Sequence, residues 1–336
     1  NLSSSAAIQE LLATTLQSDS KALQSLALKT IAQSSLKIAP DSWTTEILKF
    51  LDGKELVSEA IAAAHAVPAA KDKSAAMSAA LLKIAHDKSQ PAELRLNALA
   101  ALPNITNLDS DLFNFLVANL DSTKPVLTRS AATSVLTRAT LSQEQLLALT
   151  DSLKTVGPLE STKILSAFEK PAAANEIVGT KLISALKEAK TINTMRVERL
   201  KPLFEKYPAS VKAQAESLYA LLNVDAKEQS ARVDKLLASL KNGDVRRGQM
   251  VFNSPKAACS SCHSIGYAGG HVGPDLTRIG TVRTERDLLE AIVYPSASFV
   301  RSFEPMIVAT KSDEDYSGVL KKDAPDEIIL VTGPIA

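Results

Sequence analysis

The chain is poor in the residues that staple or functionalise small proteins. It has 2 cysteines, 4 histidines and 1 tryptophan in 336 residues, and aromatics make up 4% of it. Both cysteines fall in one short motif, so no structural disulfide is left over and cysteine usage alone names no compartment. Charge of one sign is also missing. The 38 Lys and Arg against 37 Asp and Glu leave +1, which removes any global electrostatic case for nucleic acid or an acidic membrane. No apolar run approaches the length of a bilayer span, so no membrane span is expected. No basic stretch precedes an apolar core, so no signal peptide is read, and a chain opening at Asn1 looks like a mature or trimmed product.

Glycine is scarce in one part and common in another. Nine of the twelve glycines follow Lys241. Because glycine weakens helix interiors and collects in turns and close backbone approaches, residues 1–241 should be mostly helix and the remainder rich in loops. A length of 336 residues allows two or three domains.

Across residues 1–241, apolar residues recur at helical spacing in segments separated by short polar or proline-bearing breaks. The spacing predicts a run of helices from Ala6–Gln17 to Ala226–Leu240, among them Lys54–Ala66, Leu159–Glu169 and Met195–Lys206. Ser142 with Gln145 fits a capping box, and Pro125 fits a first-turn position. Pro91-x-x-x-Arg95-x-x-Ala98-x-x-Ala101-Leu102 recurs 34 residues later as Pro125-x-x-x-Arg129-x-x-Ala132-x-x-Val135-Leu136, with Arg at the edge of the apolar stripe. A repeat of this size with two helices per unit implies a stacked α-solenoid. The signature resembles the second helix of HEAT repeats, most clearly over residues 88–137. An irregular helical bundle is the alternative. His65 and His86 have no acidic or cysteine partner at ligand spacing, and Met77 and Met195 read as packing residues. The default role of such an array is docking.

What the sequence does contain is Cys259-Ser260-Ser261-Cys262-His263, the attachment pattern of a c-type haem. Two thiols at this spacing can each add across one porphyrin vinyl group, and the adjacent histidine then reaches the iron. A zinc site would need Cys259, Cys262, His263 and perhaps His271. Adjacent Cys262 and His263 seldom reach one tetrahedral ion, and a second ligand pair at a distance is missing. A thioredoxin-like C-x-x-C would need a βαβ context, which is also missing. His271 reads as a loop residue.

Around the motif lie Gly248-x-x-x-Phe252, Val272-Gly273-Pro274-Asp275-Leu276-Thr277, Ile279-Gly280 and Ala291-Ile292-x-x-Pro295-Ser296. Together they resemble the planctomycete and verrucomicrobial type of C-x-x-C-H haem-binding domain, a class I cytochrome c-like family, over roughly residues 244–333. The resemblance implies one covalent haem c on Cys259 and Cys262, with His263 as the proximal axial ligand. It places Phe252, Gly273, Pro274 and Leu276 around the haem, and the Pro274 carbonyl would accept the His263 Nδ1–H. Gly248 would let a closing helix cross. Relatives often carry a β-propeller dehydrogenase-like domain; none is present here, so its activity does not carry over.

Period-2 alternation predicts strands at Met306–Thr310, Tyr316–Leu320 and Glu327–Thr332, a three-stranded antiparallel meander. Met306 lies 11 residues after Pro295 and is the best distal iron ligand within this chain. Against it, Met306 opens a strand, and in the resembling family the distal methionine follows the β insertion. The last domain therefore looks incomplete at its C-terminal end.

The expectation is a mainly α chain: a HEAT-like α-solenoid over 1–241, then a cytochrome c-like haem domain over 242–336 with a small antiparallel β insertion at 303–333. The expected function is electron transfer through one covalent haem c, in a periplasmic or otherwise extracytoplasmic location, to a redox partner protein. A distal thioether would favour a relatively high potential. Three rivals stay open: the haem-bearing subunit or fragment of a larger periplasmic dehydrogenase, a haem sensor with an open sixth site, and a scaffold binding zinc. No catalytic residue and no nucleic-acid partner are expected.

Overall fold

The computed structural model describes residues 2–34, 36–103, 105, 108–192, 195, 197–222, 226–240, 243–294, 305–309, 315–324 and 327–331. The chain is mainly helical with two small antiparallel sheets. The first helices are α1 (Ala6–Leu16), α2 (Lys21–Ala32), α3 (Asp41–Asp52), α4 (Val57–Ala66), α5 (Lys71–His86), α6 (Ala92–Ala100) and α7 (Ser110–Ala118). Then come α8 (Val126–Arg138), α9 (Gln143–Ser152), α10 (Pro158–Ile164), α11 (Glu176–Glu188), α12 (Val197–Glu205), α13 (Ala209–Leu222) and α14 (Ala226–Ser239). The C-terminal part holds α15 (Val245–Phe252), β1 (Ser264–Ile265), β2 (Ala268–Gly269), α16 (Ile279–Val282), α17 (Glu285–Val293), β3 (Pro305–Ala309), β4 (Asp315–Ala324) and β5 (Glu327–Val331).

Two compact units form. One comprises Asn1–Asp121, Ala131–Leu146 and Lys163–Ala167; the other comprises Ser122–Ser130, Leu147–Thr162 and Phe168–Ala336. Of the expected boundary Asn242-Gly243-Asp244, Asn242 lies outside the described residues.

In the first unit the lone tryptophan, Trp43 on α3, is fully buried, and its indole N–H donates to the Gln9 carbonyl at 2.9 Å. A buried indole needs such a partner to recover the hydrogen bond it gives up to water. Arg95 behaves in the same way. It is buried rather than at the edge of the stripe; its Nε donates to the Ala85 carbonyl at 2.7 Å and its guanidinium lies 3.8 Å from the Phe115 ring centroid. The repeat arginine thus closes the C-terminal end of the preceding helix, where carbonyls lack helical donors. The expected capping box at α9 forms, with Ser142 N–H on Gln145 Oε1 at 2.9 Å and Gln145 N–H on Ser142 Oγ at 3.2 Å. His86, read as unpartnered, has its Nε2 3.2 Å from Asp109 Oδ2, a residue too distant in sequence to be foreseen.

In the second unit Arg129, the repeat counterpart of Arg95, is also buried, and its Nε lies 3.5 Å from Glu160 Oε1. Gly179 on α11 allows close contact with Tyr207 and Val211, since a Cβ there would fall 2.6 Å from Tyr207 Cδ1. The expected helix over 159–169 instead divides into α10 and a 3-10 stretch at Leu165–Phe168. Helix α17 packs on α14, where Arg286 Nε meets Asp234 Oδ1 at 2.7 Å and an Arg286 terminal nitrogen meets Ser230 Oγ at 2.6 Å.

Within each unit several side-chain links join residues 30–39 positions apart in sequence. Gln9 with Trp43 and Lys21 with Glu55 are each 34 residues apart, and Arg138 reaches the Leu102 carbonyl 36 residues back. Lys181 with Asp151 is 30 apart, and Tyr207 hydroxyl to Phe168 carbonyl 39.

The meander forms in order β3-β4-β5, with Met306 opposite Gly318 and an irregularity between Leu320 and Lys322. The β1–β2 hairpin was not foreseen. Its two-residue turn starts at Gly266, whose φ of 64° suits a tight turn closed by glycine. No helix among the described residues is long and apolar enough to cross a membrane.

Replacing Arg95 by Met should destabilise the first unit by about 2–4 kcal/mol, because the Ala85 carbonyl loses a charged donor and Phe115 loses its cation. Lys88→Met, which breaks only the exposed pair with Asp111, should stay within about 0.5 kcal/mol. Urea unfolding of both variants checks the contrast; equal losses would contradict the role given to Arg95.

Candidate functional site around Cys259–His263

The motif sits on a 3-10 turn, Cys259–Ser261, entered through Ala258. Ala258 is buried and takes a left-handed backbone with φ 50°. An alanine held there costs of order 1 kcal/mol or more, so the surrounding turn must impose it. The Cys259 carbonyl then accepts from both Cys262 N–H at 3.2 Å and His263 N–H at 3.0 Å. Neither cysteine is in a disulfide, and both are half-exposed on this one turn.

A glycine-lined loop closes over the turn. Gly270 N–H donates to the Ser260 carbonyl at 2.8 Å, and Gly273 N–H to the Cys262 carbonyl at 2.7 Å. A Cβ on Gly269 would collide with the His263 carbonyl, and one on Gly270 with the Ser261 carbonyl. At Gly273 it would lie 2.6 Å from His263 Cε1 and 2.8 Å from Nδ1, so this backbone packs flat against the imidazole. Glycine is required at these three positions by proximity.

His263 Nδ1 lies 2.8 Å from the Pro274 carbonyl oxygen. A carbonyl can only accept, so Nδ1 must carry the proton, and the basic lone pair is left on Nε2. A metal-ligating histidine is arranged in this way, with the second nitrogen donating to a carbonyl. Behind the loop, the Asp275 carboxylate accepts from Thr277 N–H at 2.7 Å and from Ser264 Oγ at 3.1 Å. The bonds from Thr277, followed by the one from Ser264, hold its pKa below the usual aspartate value despite some desolvation.

The structure brings Cys259, Cys262, His263, Gly273 and Pro274 together. Phe252 ends α15 and is half-buried, as is Leu276, whose N–H donates to the Ser264 carbonyl at 2.8 Å. Met306 lies on β3, and its side chain is outside the described residues, as are Pro295 and Ser296. A Cβ on Gly248 would meet nothing within 4 Å, and Met250 on the same helix is 67% exposed. Among the described residues no three His, Cys, Asp or Glu side chains cluster to hold a metal ion, and His271 is exposed.

Apolar packing is thin here. Of residues 243–294 only Ala258, Ser264 and Tyr294 are buried. Val245, Met250, Val251, Val282 and Ile292 are large apolar side chains left exposed on α15, α16 and α17. Such short helices do not hold an apolar face in water without something to cover it. A donor set of two thiols and one Nε2, in a segment that lacks an apolar core of its own, fits a porphyrin iron better than a bare ion.

The residues that sequence reasoning missed are Ala258, Gly269, Gly270 and the Ser264–Asp275–Thr277 set. The Gly269-Gly270 pair was the available signal for a close approach. Gly270→Ala should raise hydrogen exchange at the Gly270 and Gly273 amides by tenfold or more. Gly248→Ala, in open space on a helix, should instead stabilise by about 0.5–1 kcal/mol. Unchanged exchange in Gly270→Ala would contradict the packing described.

Comparison with protein-family models, with curated proteins and with solved structures returned no match, so any functional reading rests on this geometry and on the motif itself.

Proposed function

We propose that residues 242–336 form a c-type haem domain of the planctomycete and verrucomicrobial C-x-x-C-H type, and that the protein transfers electrons. The observation that carries this reading is the 2.8 Å contact between His263 Nδ1 and the Pro274 carbonyl, which frees Nε2 beside two half-exposed thiols. The exposed apolar side chains of α15, α16 and α17 add support, since the segment buries little apolar surface of its own.

Haem c, when bound, supplies an iron that cycles between ferrous and ferric states. The chain's own residues then have separate tasks. Cys259 and Cys262 supply the thiols for two thioether bonds, and His263 presents Nε2 as the proximal ligand. The Pro274 carbonyl holds the imidazole in one tautomer, and Gly273 permits the ring to lie against the loop. Phe252, Pro274 and Leu276 would line the pocket for the haem and help to exclude water from it.

The preceding helices are read as a HEAT-like array that docks a redox partner protein. Support comes from side-chain links joining residues 30–39 positions apart in sequence and from Arg95 and Arg129 being buried at matching repeat positions. Covalent haem attachment occurs outside the bacterial cytoplasm, so an extracytoplasmic location is part of the proposal.

Expression with haem-maturation machinery should give a Soret band that survives denaturation and extraction of free haem. Cys259→Ala or Cys262→Ala should each lower the covalently held fraction, and the double variant should hold none. His263→Ala should shift the Soret and visible bands away from those of the wild type, as expected when the proximal ligand is lost. A wild-type chain that releases all its haem on denaturation would overturn the proposal.

A further inference from the structure

We infer that Asp275 is a positioning residue, which sets the tautomer and orientation of His263 by clamping the Pro274 carbonyl against Nδ1. The geometry carries the clamp. Ser264 directly follows His263, Asp275 directly follows Pro274, and the Ser264 hydroxyl donates to Asp275 Oδ2 at 3.1 Å. The Asp275 Oδ1 accepts the Thr277 N–H at 2.7 Å, so the carboxylate also fixes the backbone on its far side. Thr277 Oγ1 in turn accepts the Gly266 N–H at 2.7 Å, and Leu276 N–H donates to the Ser264 carbonyl at 2.8 Å. The two chain segments are thereby zipped together on one side of the His263–Pro274 bond. Ser264 is buried, while the Asp275 carboxylate that it meets is exposed, so the clamp rests on three converging hydrogen bonds rather than on exclusion of water.

A carbonyl that drifts away from Nδ1 loses its hold on the tautomer. The proton then spreads to Nε2, the nitrogen that has to be free to bind a metal. The effect on the iron rests on the proposed haem reading: a weaker Nδ1–H bond makes the imidazole less electron-rich, which favours the ferrous state and raises the reduction potential. The effect on the tautomer does not depend on haem.

Nitrogen NMR of His263 in the haem-free chain tests the clamp directly. Wild type should show the Nδ1–H form. Asp275→Ala should move the population toward Nε2–H. Asp275→Asn should stay near wild type, because its amide oxygen still accepts from Thr277 and its amide nitrogen can donate to Ser264. A folded Asp275→Ala chain with the wild-type tautomer would overturn the inference. If Asp275→Ala disorders the loop, Ser264→Ala removes one arm alone and should give a smaller shift in the same direction; no shift there would overturn the inference equally. In the haem-loaded chain, Asp275→Ala should raise the potential more than Glu285→Gln, an exposed charge outside the clamp. Equal shifts would contradict the positioning role. A wild-type chain that takes up no haem would refute the haem reading while the tautomer measurement still decides the clamp.

Discussion

The hydrogen bond from His263 Nδ1 to the Pro274 carbonyl is the constraint on which the site depends. It needs the loop after the motif to fold back on the turn that carries both thiols. That return is possible only because Gly269, Gly270 and Gly273 bring backbone against backbone and backbone against the imidazole. The Gly270 and Gly273 N–H groups then bond to the carbonyls of Ser260 and Cys262. The local geometry is therefore fixed by close contact and a few hydrogen bonds rather than by a hydrophobic core.

The contrast with the helical part is physical. There, side chains such as Trp43, Phe168 and Phe204 are fully buried, and even the repeat arginines are desolvated against carbonyl, ring or carboxylate partners. Residues 243–294 bury almost nothing large except Tyr294 and place apolar side chains at the surface. Apolar burial normally offsets the entropy of ordering a chain, so a segment of this composition gains most from a large apolar group bound at its centre. On the proposed reading a porphyrin would act as that core. The contact of α17 with α14 through Arg286 shows how the segment is tied to the preceding helix.

Much of this was legible in the sequence because the signals were local. Helical periodicity located α1 to α14 to within a few residues at most ends, and the Ser142–Gln145 capping pair formed as read. Helix α4 begins at Val57, three residues later than periodicity suggested, because Leu56 takes a left-handed backbone that a helix cannot include. The burial of Arg95 and the His86–Asp109 contact were not legible, since each depends on partners supplied by another helix. The β1–β2 hairpin was too short for an alternation pattern to reveal. The role of Asp275 was hidden for a related reason: an aspartate after a proline looks like ordinary turn chemistry until Ser264 is seen across from it.

The central proposal is that Cys259 and Cys262 hold one haem covalently, with His263 beside them as a ligand to its iron. Mass measurement of the intact chain, matured with haem-attachment machinery and then digested, tests it most directly. The account predicts one haem mass added to the single peptide that contains both cysteines, with no free thiol remaining. An unmodified peptide with two free thiols, from a chain that folded in the presence of that machinery, would contradict it.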